Sequence, residues 1–201
     1  MSHKLLIVAT RNEGKVKEIG ELLHDLPLRT ASLIEFPEIP EIVEDQLTFS
    51  GNAVKKAETV CSHAGEAALA DDSGLEVDAL EGRPGVYSAR FAGKNSSDEE
   101  NNRKLLKELE NVPAEKRTAR FRCVIALALP GEGTITVEGA CEGWIGFSPQ
   151  GREGFGYDPL FIHPSHGSTL AELSPQEKNE ISHRGRALAK VRPIIEAKLV
   201  R

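Results

Sequence analysis

Hydrophobic and polar residues follow one another along this chain in patterns that predict strands and helices in turn, and then a hairpin. A continuous apolar run over Leu5–Ala9 predicts a short strand buried on both faces. An apolar stripe at helical spacing over Val16–Leu23 follows it directly, and a second helix is predicted from about 48–64. Alternation over Phe121–Leu129, a Gly-rich turn and the strand Thr134–Gly139 predict a long antiparallel hairpin. This order indicates an α/β protein with two lobes around a long mixed β-sheet, flanking helices and a central cleft.

Two adjacent carboxylates, Asp71 and Asp72, stand where an apolar run ends. The run Ala67–Ala70 is followed by this pair, by a Ser-Gly dipeptide typical of turns, and by a second strand-like run, Leu75–Leu80. Successive side chains of a strand point to opposite faces, so one carboxylate is expected to face the core side and the other a cleft or solvent. Carboxylates at a strand end suit Mg²⁺, which takes oxygen ligands. A side chain that only caps the turn explains this stretch equally well.

The segment Thr10–Lys15 connects the first predicted strand to the first helix. Free backbone N–H groups and the helix dipole favour an anion at such a position. The segment differs from a P-loop, because Ala9 stands in place of the first glycine and Val16 follows the lysine. In an alternative interpretation Asn12 is an ordinary N-cap and Lys15 is solvated.

Three polar residues near the second helix are further candidates for phosphate or metal binding. Glu44 precedes the helix, where a carboxylate is electrostatically favourable, although most such glutamates are simply solvated. Asn52 and Lys56 are four residues apart and flank the apolar face. Both side chains are therefore expected to project together toward whatever the helix covers.

A glycine-bracketed aromatic segment, Gly154–Pro159, and the helix that follows it carry the last candidates. Glycines around an aromatic ring allow it to stand exposed and stack on a flat heterocycle, although a structural turn with a buried Phe is the commoner outcome. Lys178 is predicted in the first turn of a short helix, where a cation opposes the dipole, so we expect an anionic ligand beside it. The residues Ile181–Gly185 are predicted to close that helix.

Composition and charge argue against several classes of protein. Hydrophobic residues make up 39% and charged residues 28% of the chain, as in ordinary globular proteins, and we expect one domain over residues 1–201. The net charge of −6 argues against binding to nucleic acid or to an anionic membrane. No apolar run is long enough for a membrane span or a signal peptide, so a cytoplasmic location is expected. The three cysteines lack CxxC spacing, which argues against a disulfide framework or a zinc site.

Five segments taken together resemble the inosine triphosphate pyrophosphatase family. They run in the same order as in that family, from near the start of the chain to its last helix. The segments are Thr10–Lys15, Ala70–Leu75, Gly85–Arg90, Gly154–Pro159 and Ser182–Gly185. The resemblance implies hydrolysis of ITP, dITP and XTP to the monophosphate and pyrophosphate. It also implies a two-lobed α/β fold, a homodimer and one Mg²⁺-dependent site in a cleft.

The resemblance further implies roles for individual residues. Glu44 and Asp72 would bind Mg²⁺, with Asp45 as an alternative to Glu44, and Asp72 would also be the base for the attacking water. The residues implied to contact the substrate are Thr10, Arg11, Asn12, Glu13, Gly14, Lys15, Asn52, Lys56, Ser73, Phe155, Gly156, Tyr157, Asp158, Lys178, His183 and Arg184. Arg184 has donors only, so it is expected to recognise the keto oxygen that distinguishes hypoxanthine and xanthine from adenine.

Two hypotheses of other classes compete with this interpretation. A nucleotide-binding regulatory module would keep every phosphate and base contact without turnover. A metal-dependent phosphatase would use the same carboxylates but release orthophosphate. The phosphate product therefore separates the three hypotheses, because only the pyrophosphatase releases pyrophosphate from a nucleoside triphosphate.

Overall fold

The computed structural model describes residues 4–200, which form strands and helices in alternation. The strands are β1 Lys4–Val8, β2 Leu28–Ser32, β3 Ala67–Val77, β4 Thr118–Ala128, β5 Ile135–Ile145 and β6 Phe161–Ile162. The helices are α1 Glu13–Leu23, α2 Phe49–Ala64, α3 Asp98–Glu108, α4 Pro175–Ile181 and α5 His183–Ile195. None of the helices within residues 4–200 is both long and apolar enough to cross a membrane.

The strands form one mixed sheet in the order β2-β1-β3-β4-β5-β6. β1 pairs in parallel with β2 and with β3, whereas β5 and β6 are antiparallel. β4 and β5 are neighbours joined by residues 129–134, and so short a connection excludes the crossover that parallel strands require. The predicted α/β class with a mixed sheet and a hairpin is therefore confirmed.

Local sequence signals explain where the second helix begins and ends. The Thr48 hydroxyl accepts a hydrogen bond from Gly51 N–H at 3.0 Å, which caps the first turn of α2. Gly65 follows the last turn with a left-handed φ of 68°, and its N–H donates to Cys61 O. These caps place α2 within one residue of the predicted range.

The Ser-Gly dipeptide after the two aspartates does not form a turn, so this part of the prediction was wrong. β3 continues through Asp71, Asp72, Ser73 and Gly74 as a single strand of 11 residues. The extended conformation is supported by a distant partner, because Leu75 N–H donates to the Ser88 hydroxyl at 2.9 Å. Both carboxylates are buried, so neither faces open solvent, and the expectation that one of them faces a cleft stays a prediction.

His183 and Arg184 open the last helix and do not close the preceding one, contrary to the prediction. Ser182 adopts an extended conformation with ψ of 157°, which separates α4 from α5. Pro193 lies inside α5, and the chain continues after Ile195 as a π-helical turn, Glu196–Val200. Proline removes one backbone donor from a helix, which agrees with the changed hydrogen-bond register that follows.

The chain divides into two compact units. The first unit comprises residues up to 72, 123–139 and those from 184 onward, and the second comprises Ser73–Arg122 and Ala140–His183. Each unit has a hydrophobic core of its own. Leu6, Ile125 and Val191 are central in the first core, and Leu75, Leu105 and Phe161 in the second. The expectation of one domain over the whole chain stays a prediction.

Candidate active site

The loop between β1 and α1 is shaped by its own side chains. Asn12 caps α1, because its Oδ1 accepts a hydrogen bond from Lys15 N–H at 3.1 Å. Asn12 N–H in turn donates to the Thr10 hydroxyl at 3.1 Å. The Lys15 ammonium lies 3.0 Å from Asp71 Oδ2. The alternative interpretation is thus right about the cap and wrong about a solvated lysine.

Asp71 holds two cations of the first unit. Its Oδ2 accepts from Lys15 Nζ and, at 3.1 and 3.3 Å, from Nη2 and Nε of Arg184. Arg184 also donates through Nη1 to Glu18 and is only 1% exposed. Burial disfavours the Asp71 carboxylate, but Lys15, Arg184 and Lys56 outweigh it and hold the pKa of Asp71 well below its ordinary value. Asp71 is therefore a permanently charged anchor of this network.

Asp72 lies in the opposite electrostatic situation. Its Oδ2 accepts a hydrogen bond from Asn52 Nδ2 at 3.0 Å, and its Oδ1 lies 3.4 Å from Lys56 Nζ. Burial, together with the negative charge of Glu44, raises the pKa of Asp72 despite the attraction of Lys56. Two neighbouring carboxylates whose pKa values are pushed apart are typical of a site that needs one fixed charge and one proton acceptor.

Glu44 contacts the same Lys56 ammonium group as Asp72 does. Lys56 Nζ lies 2.6 Å from Glu44 Oε1 and donates to Asp71 O at 2.7 Å. Burial alone would lower the pKa of the Lys56 ammonium, but the neighbouring carboxylates outweigh it and raise that pKa. Asp45 instead pairs with Lys55 at 2.8 Å. Of the adjacent pair Glu44 and Asp45, it is Glu44 that shares an ammonium group with Asp72.

Glu44 and Asp72 are the carboxylates near Lys56 that could take part in holding a hydrated Mg²⁺. Within residues 4–200 there is no cluster of three or more His, Cys, Asp or Glu side chains arranged to hold a metal ion. Mg²⁺ needs only one or two carboxylates when waters and phosphate oxygens complete its octahedron. Glu44 and Asp72 supply two such carboxylates, and both lie beside the Lys56 ammonium group.

In the second unit, the aromatic segment is bound to α4 through Lys178. Asp158 Oδ2 accepts from Lys178 Nζ at 2.6 Å and from Phe155 N–H at 2.9 Å. Lys178 Nζ also lies 4.7 Å from the centroid of the Phe155 ring. The anion expected beside Lys178 is thus a carboxylate of the chain itself. Lys178 lies in the last turn of the short helix α4, not in the first turn as predicted, so the helix dipole does not oppose its charge.

Two more residues of the second unit are fixed by close contacts. The Tyr157 hydroxyl donates to Ser88 O at 2.8 Å, and burial raises the pKa of Tyr157 above its ordinary value. The His183 ring stacks on Phe121 with 4.7 Å between centroids and an interplanar angle of 12°. Both side chains are therefore held in one orientation.

Comparison with known proteins identifies the family. A model of the Ham1 family matches residues 6–194. The chain belongs to the Ham1 family. It is 55% identical over 191 residues to the dITP/XTP pyrophosphatase of Shouchella clausii, covering 95% of this chain and 96% of that protein. It is 58% identical over 184 residues to the dITP/XTP pyrophosphatase of Geobacter sulfurreducens, covering 92% of each chain.

A solved Ham1 structure has the same fold as this Ham1-family chain. The structure of a HAM1 protein from Coxiella burnetii superposes with a TM-score of 0.88 at 44% identity. The superposition covers 96% of this chain and 99% of that protein. The α/β architecture and the family resemblance inferred from the sequence are both confirmed.

The sequence-derived candidates of this Ham1-family chain divide between the two units. Those in the first unit are Thr10, Asn12, Lys15, Glu44, Asn52, Lys56, Asp72 and Arg184, and those in the second are Phe155, Gly156, Tyr157, Asp158, Lys178 and His183. Arg11 donates to Ile39 O at 2.8 Å, Glu13 and Gly14 form the first turn of α1, and Ser73 is half-buried in β3.

Sequence reasoning missed Glu18 and left Asp71 without a role. Glu18 lies three residues after Lys15 on α1 and contacts Arg184. Residues three apart share a helix face, so the spacing from Lys15 was the available signal. The ion pair of Asp71 joins residues 113 positions apart, and no local pattern predicts such a pair.

Proposed function

We propose that this protein hydrolyses non-canonical purine nucleoside triphosphates, such as ITP, dITP and XTP, to the nucleoside monophosphate and pyrophosphate. The pair Asp71–Asp72 carries this proposal. Lys15 and Arg184 fix the first carboxylate. The second shares the Lys56 ammonium group with Glu44. The names of the related proteins support the same substrate class. Transfer of a nucleotidyl or phosphoryl group to water needs charge and alignment but no covalent nucleophile.

We assign the triphosphate to the loop Thr10–Lys15. The first turn of α1 presents backbone N–H groups, which attract phosphate oxygens together with the helix dipole. Lys15 and Lys56 add positive charge. Each ammonium group is held in position by an ion pair with a carboxylate. Such preorganised charge stabilises a transition state without further reorganisation.

Asp72 would accept the proton of the attacking water. The hydrogen bond from Asn52 fixes the orientation of its carboxylate, and a positioned carboxylate is a suitable general base. Mg²⁺, if held by Glu44 and Asp72 as the donor set suggests, would supply positive charge toward the departing pyrophosphate. Asp71 would remain charged throughout and keep Lys15 in position.

We assign the purine base to Phe155–Asp158 together with Lys178, His183 and Arg184. The Phe155 ring offers a flat surface for stacking. Hypoxanthine and xanthine carry a keto oxygen where adenine carries an amine. A buried donor left unpaired by adenine costs about 1–3 kcal/mol, which would disfavour ATP. The role of Arg184 toward that keto oxygen stays a prediction, since its guanidinium donates to Asp71 and Glu18 in the structure.

The test is a product assay on a panel of triphosphates. Purified protein is incubated with ITP, dITP, XTP, ATP and GTP in the presence of Mg²⁺, and pyrophosphate, orthophosphate and monophosphate are quantified separately. We expect equal amounts of pyrophosphate and monophosphate from ITP, dITP and XTP, and much slower release from ATP. An assay without added Mg²⁺ and with a chelator tests the metal requirement in the same experiment.

Each alternative predicts a different product. Orthophosphate with nucleoside diphosphate would support the phosphatase, and nucleotide binding without any product would support the regulatory module. Either result would contradict the proposal. The homodimer and the cytoplasmic location expected from the sequence stay predictions.

A further inference from the structure

Two side chains of α3 hold the aromatic segment Phe155–Asp158 at Gly156. Asp98 Oδ2 accepts a hydrogen bond from Gly156 N–H at 2.7 Å, and Asn102 Nδ2 donates to Gly156 O at 2.9 Å. Asp98 and Asn102 are four residues apart and therefore lie on one face of the helix. Helix α3 thus holds the peptide groups on both sides of the Gly156 Cα atom.

Gly156 adopts a left-handed backbone conformation beside α3. Its φ is 64°, and a Cβ atom added there would meet nothing within 4 Å. A cavity of 470 Å³ is lined by α3 and by the segment Gly154–Gly156. Glycine occupies left-handed and right-handed conformations with similar ease. The two hydrogen bonds from α3 therefore stabilise the observed conformation of Gly156.

The conformation at Gly156 determines where the Phe155 ring lies. Phe155 N–H donates to Asp158 Oδ2, and the same oxygen lies 2.6 Å from Lys178 Nζ. The ring itself lies 4.7 Å from that ammonium group. Because Gly156 connects Phe155 to Tyr157 and Asp158, a rotation at this glycine would move the ring away from Lys178.

The environment of Asn102 indicates that its amide serves this segment. Asn102 is largely buried, and among residues 4–200 its Oδ1 has no hydrogen-bond partner. Gly156 O can only accept, so the amide nitrogen must be the atom that faces it. A buried acceptor without a partner is destabilising, and an alanine would avoid that cost. The hydrogen bond to Gly156 O is the interaction that the asparagine makes and an alanine at this position would lack.

We infer that Asp98 and Asn102 are positioning residues for recognition of the purine base. They hold the Phe155 ring in its stacking position before the substrate arrives, and they do not touch the base themselves. This inference rests on the proposed function, which assigns the segment Phe155–Asp158 to the base. It adds two residues of α3 that none of the five resembling segments contains.

Kinetics and binding of the variants Asp98→Ala and Asn102→Ala test this inference. We expect the KM for ITP and the Kd for IMP to rise by about tenfold for each lost hydrogen bond, with kcat changed by less than about twofold. Inorganic tripolyphosphate has no base, so its inhibition constant should not change. Asp98→Asn keeps an acceptor oxygen and should restore most of the affinity for IMP.

Glu99→Ala is the matched control. Glu99 lies in the same first turn of α3 and carries the same charge as Asp98, but its side chain pairs with Arg103 on the helix surface. The control therefore reproduces the effect on the helix dipole without the loss of a contact to Gly156. Its KM for ITP should equal that of the unmodified protein.

Amide hydrogen exchange of the free protein provides a readout that does not depend on turnover. Peptides containing residues 154–158 should exchange faster in Asp98→Ala and Asn102→Ala, and at the original rate in Glu99→Ala. Unchanged exchange, or equal weakening of IMP and tripolyphosphate binding, would overturn the positioning role. If the unmodified protein releases no pyrophosphate while residues 154–158 still exchange faster in the two variants, the proposed function would be contradicted. The role of Asp98 and Asn102 in fixing Gly156 would then be supported.

Discussion

At the scale of single residues, the environment of each carboxylate determines its chemistry more than the residue type does. Asp71 and Asp72 are adjacent in β3 and equally acidic as free side chains. Asp71 faces Lys15 and Arg184, whereas Asp72 faces an amide, one shared ammonium and the like charge of Glu44. Their pKa values consequently shift in opposite directions. Neutralising each carboxylate should therefore have a different effect on activity and stability.

The Asp72→Asn variant should lose activity while keeping the fold. The amide is nearly isosteric but cannot accept the proton of water, and loss of a general base typically lowers kcat by about 10²–10⁴-fold. Pyrophosphate release from ITP, followed together with the circular dichroism spectrum, measures both quantities. A rate equal to that of the unmodified protein would remove Asp72 from the mechanism.

The corresponding change at Asp71 should mainly reduce stability. Asp71→Asn leaves Lys15 and Arg184 without their shared carboxylate, and breaking a buried ion pair costs about 3–5 kcal/mol. A pKa lowered on folding means that the charged form stabilises the fold at neutral pH, and this stability is lost as pH falls toward the folded pKa. The pKa of Asp72 is instead raised, so its charged form opposes folding at neutral pH.

Urea unfolding at pH 7 compares the two variants directly. The Asp71→Asn midpoint should be clearly lower than that of the unmodified protein, whereas Asp72→Asn should be equally stable or slightly more stable. The reverse order would show that the opposite pKa shifts of the two aspartates are assigned incorrectly.

The adjacent acidic residues Glu44 and Asp45 allow a second comparison of matched variants. Glu44 shares the Lys56 ammonium with Asp72, whereas Asp45 binds Lys55 farther along the same loop. Glu44→Gln should therefore raise the Mg²⁺ concentration needed for half-maximal rate by roughly tenfold or more, since an amide is a weaker ligand than a carboxylate. Asp45→Asn should leave that concentration unchanged, and the opposite pattern would move the metal ligand by one residue.

Residue types and spacing predicted which side chains are chemically important but not how they are paired. Asn12 is recognisable as a cap because capping is a local interaction. Lys178 was expected to need a ligand, because nothing near it in sequence shows that Asp158 lies 2.6 Å away. Roles that depend on distant partners, such as that of Asp71, require the structure.

At the scale of elements, the helix α2 was predicted more accurately than the strand β3. The apolar stripe and caps of α2 are contained within the helix itself, so the sequence predicts its range to within one residue. The Ser-Gly dipeptide in β3 favours a turn by local preference. Pairing with neighbouring strands and the Ser88 hydroxyl overrides that preference, and such tertiary interactions are not visible in the local pattern.

The short strand β6 depends on a glycine in its partner. A Cβ atom added at Gly143 would lie 2.4 Å from Ile162 O and 2.6 Å from the Phe161 ring. β5 and β6 pair through Trp144–Ile162 and Ile145–Phe161, immediately beside this contact. Gly143→Ala should therefore destabilise the protein by about 1–3 kcal/mol through overpacking.

A glycine in the turn before β5 provides the control for this prediction. A Cβ atom added at Gly133 would meet nothing within 4 Å, so Gly133→Ala should leave the urea midpoint unchanged or raise it slightly. Equal midpoints for the two variants would show that β6 can move away from Gly143 without cost.

At the scale of the whole molecule, the boundary between the two units passes through regular structure. It falls between Asp72 and Ser73 in β3, between Arg122 and Cys123 in β4, and between Gly139 and Ala140 in β5. Independent domains are usually separated in exposed linkers where few contacts cross. Strands that continue from one unit into the other instead favour cooperative unfolding of the chain as one domain.

Two buried cysteines allow this prediction to be measured, because each reports on one unit. Cys123 belongs to the first core and Cys141 to the second, and both side chains are fully buried. Burial raises the pKa of the Cys123 thiol to about 12. At pH 8 only about one thiol in 10⁴ would be ionised, so Cys123 should react negligibly with a thiol reagent in the folded protein.

Pulsed labelling with N-ethylmaleimide across a urea series, read by mass spectrometry of the separate cysteine peptides, follows both units in one sample. We expect Cys123 and Cys141 to become reactive over the same urea range, because opening either unit requires the loss of strands that continue into the other. Labelling of one cysteine at a clearly lower urea concentration would mean that its unit unfolds first. The single domain expected from the sequence would then have to be replaced by two domains joined through shared strands.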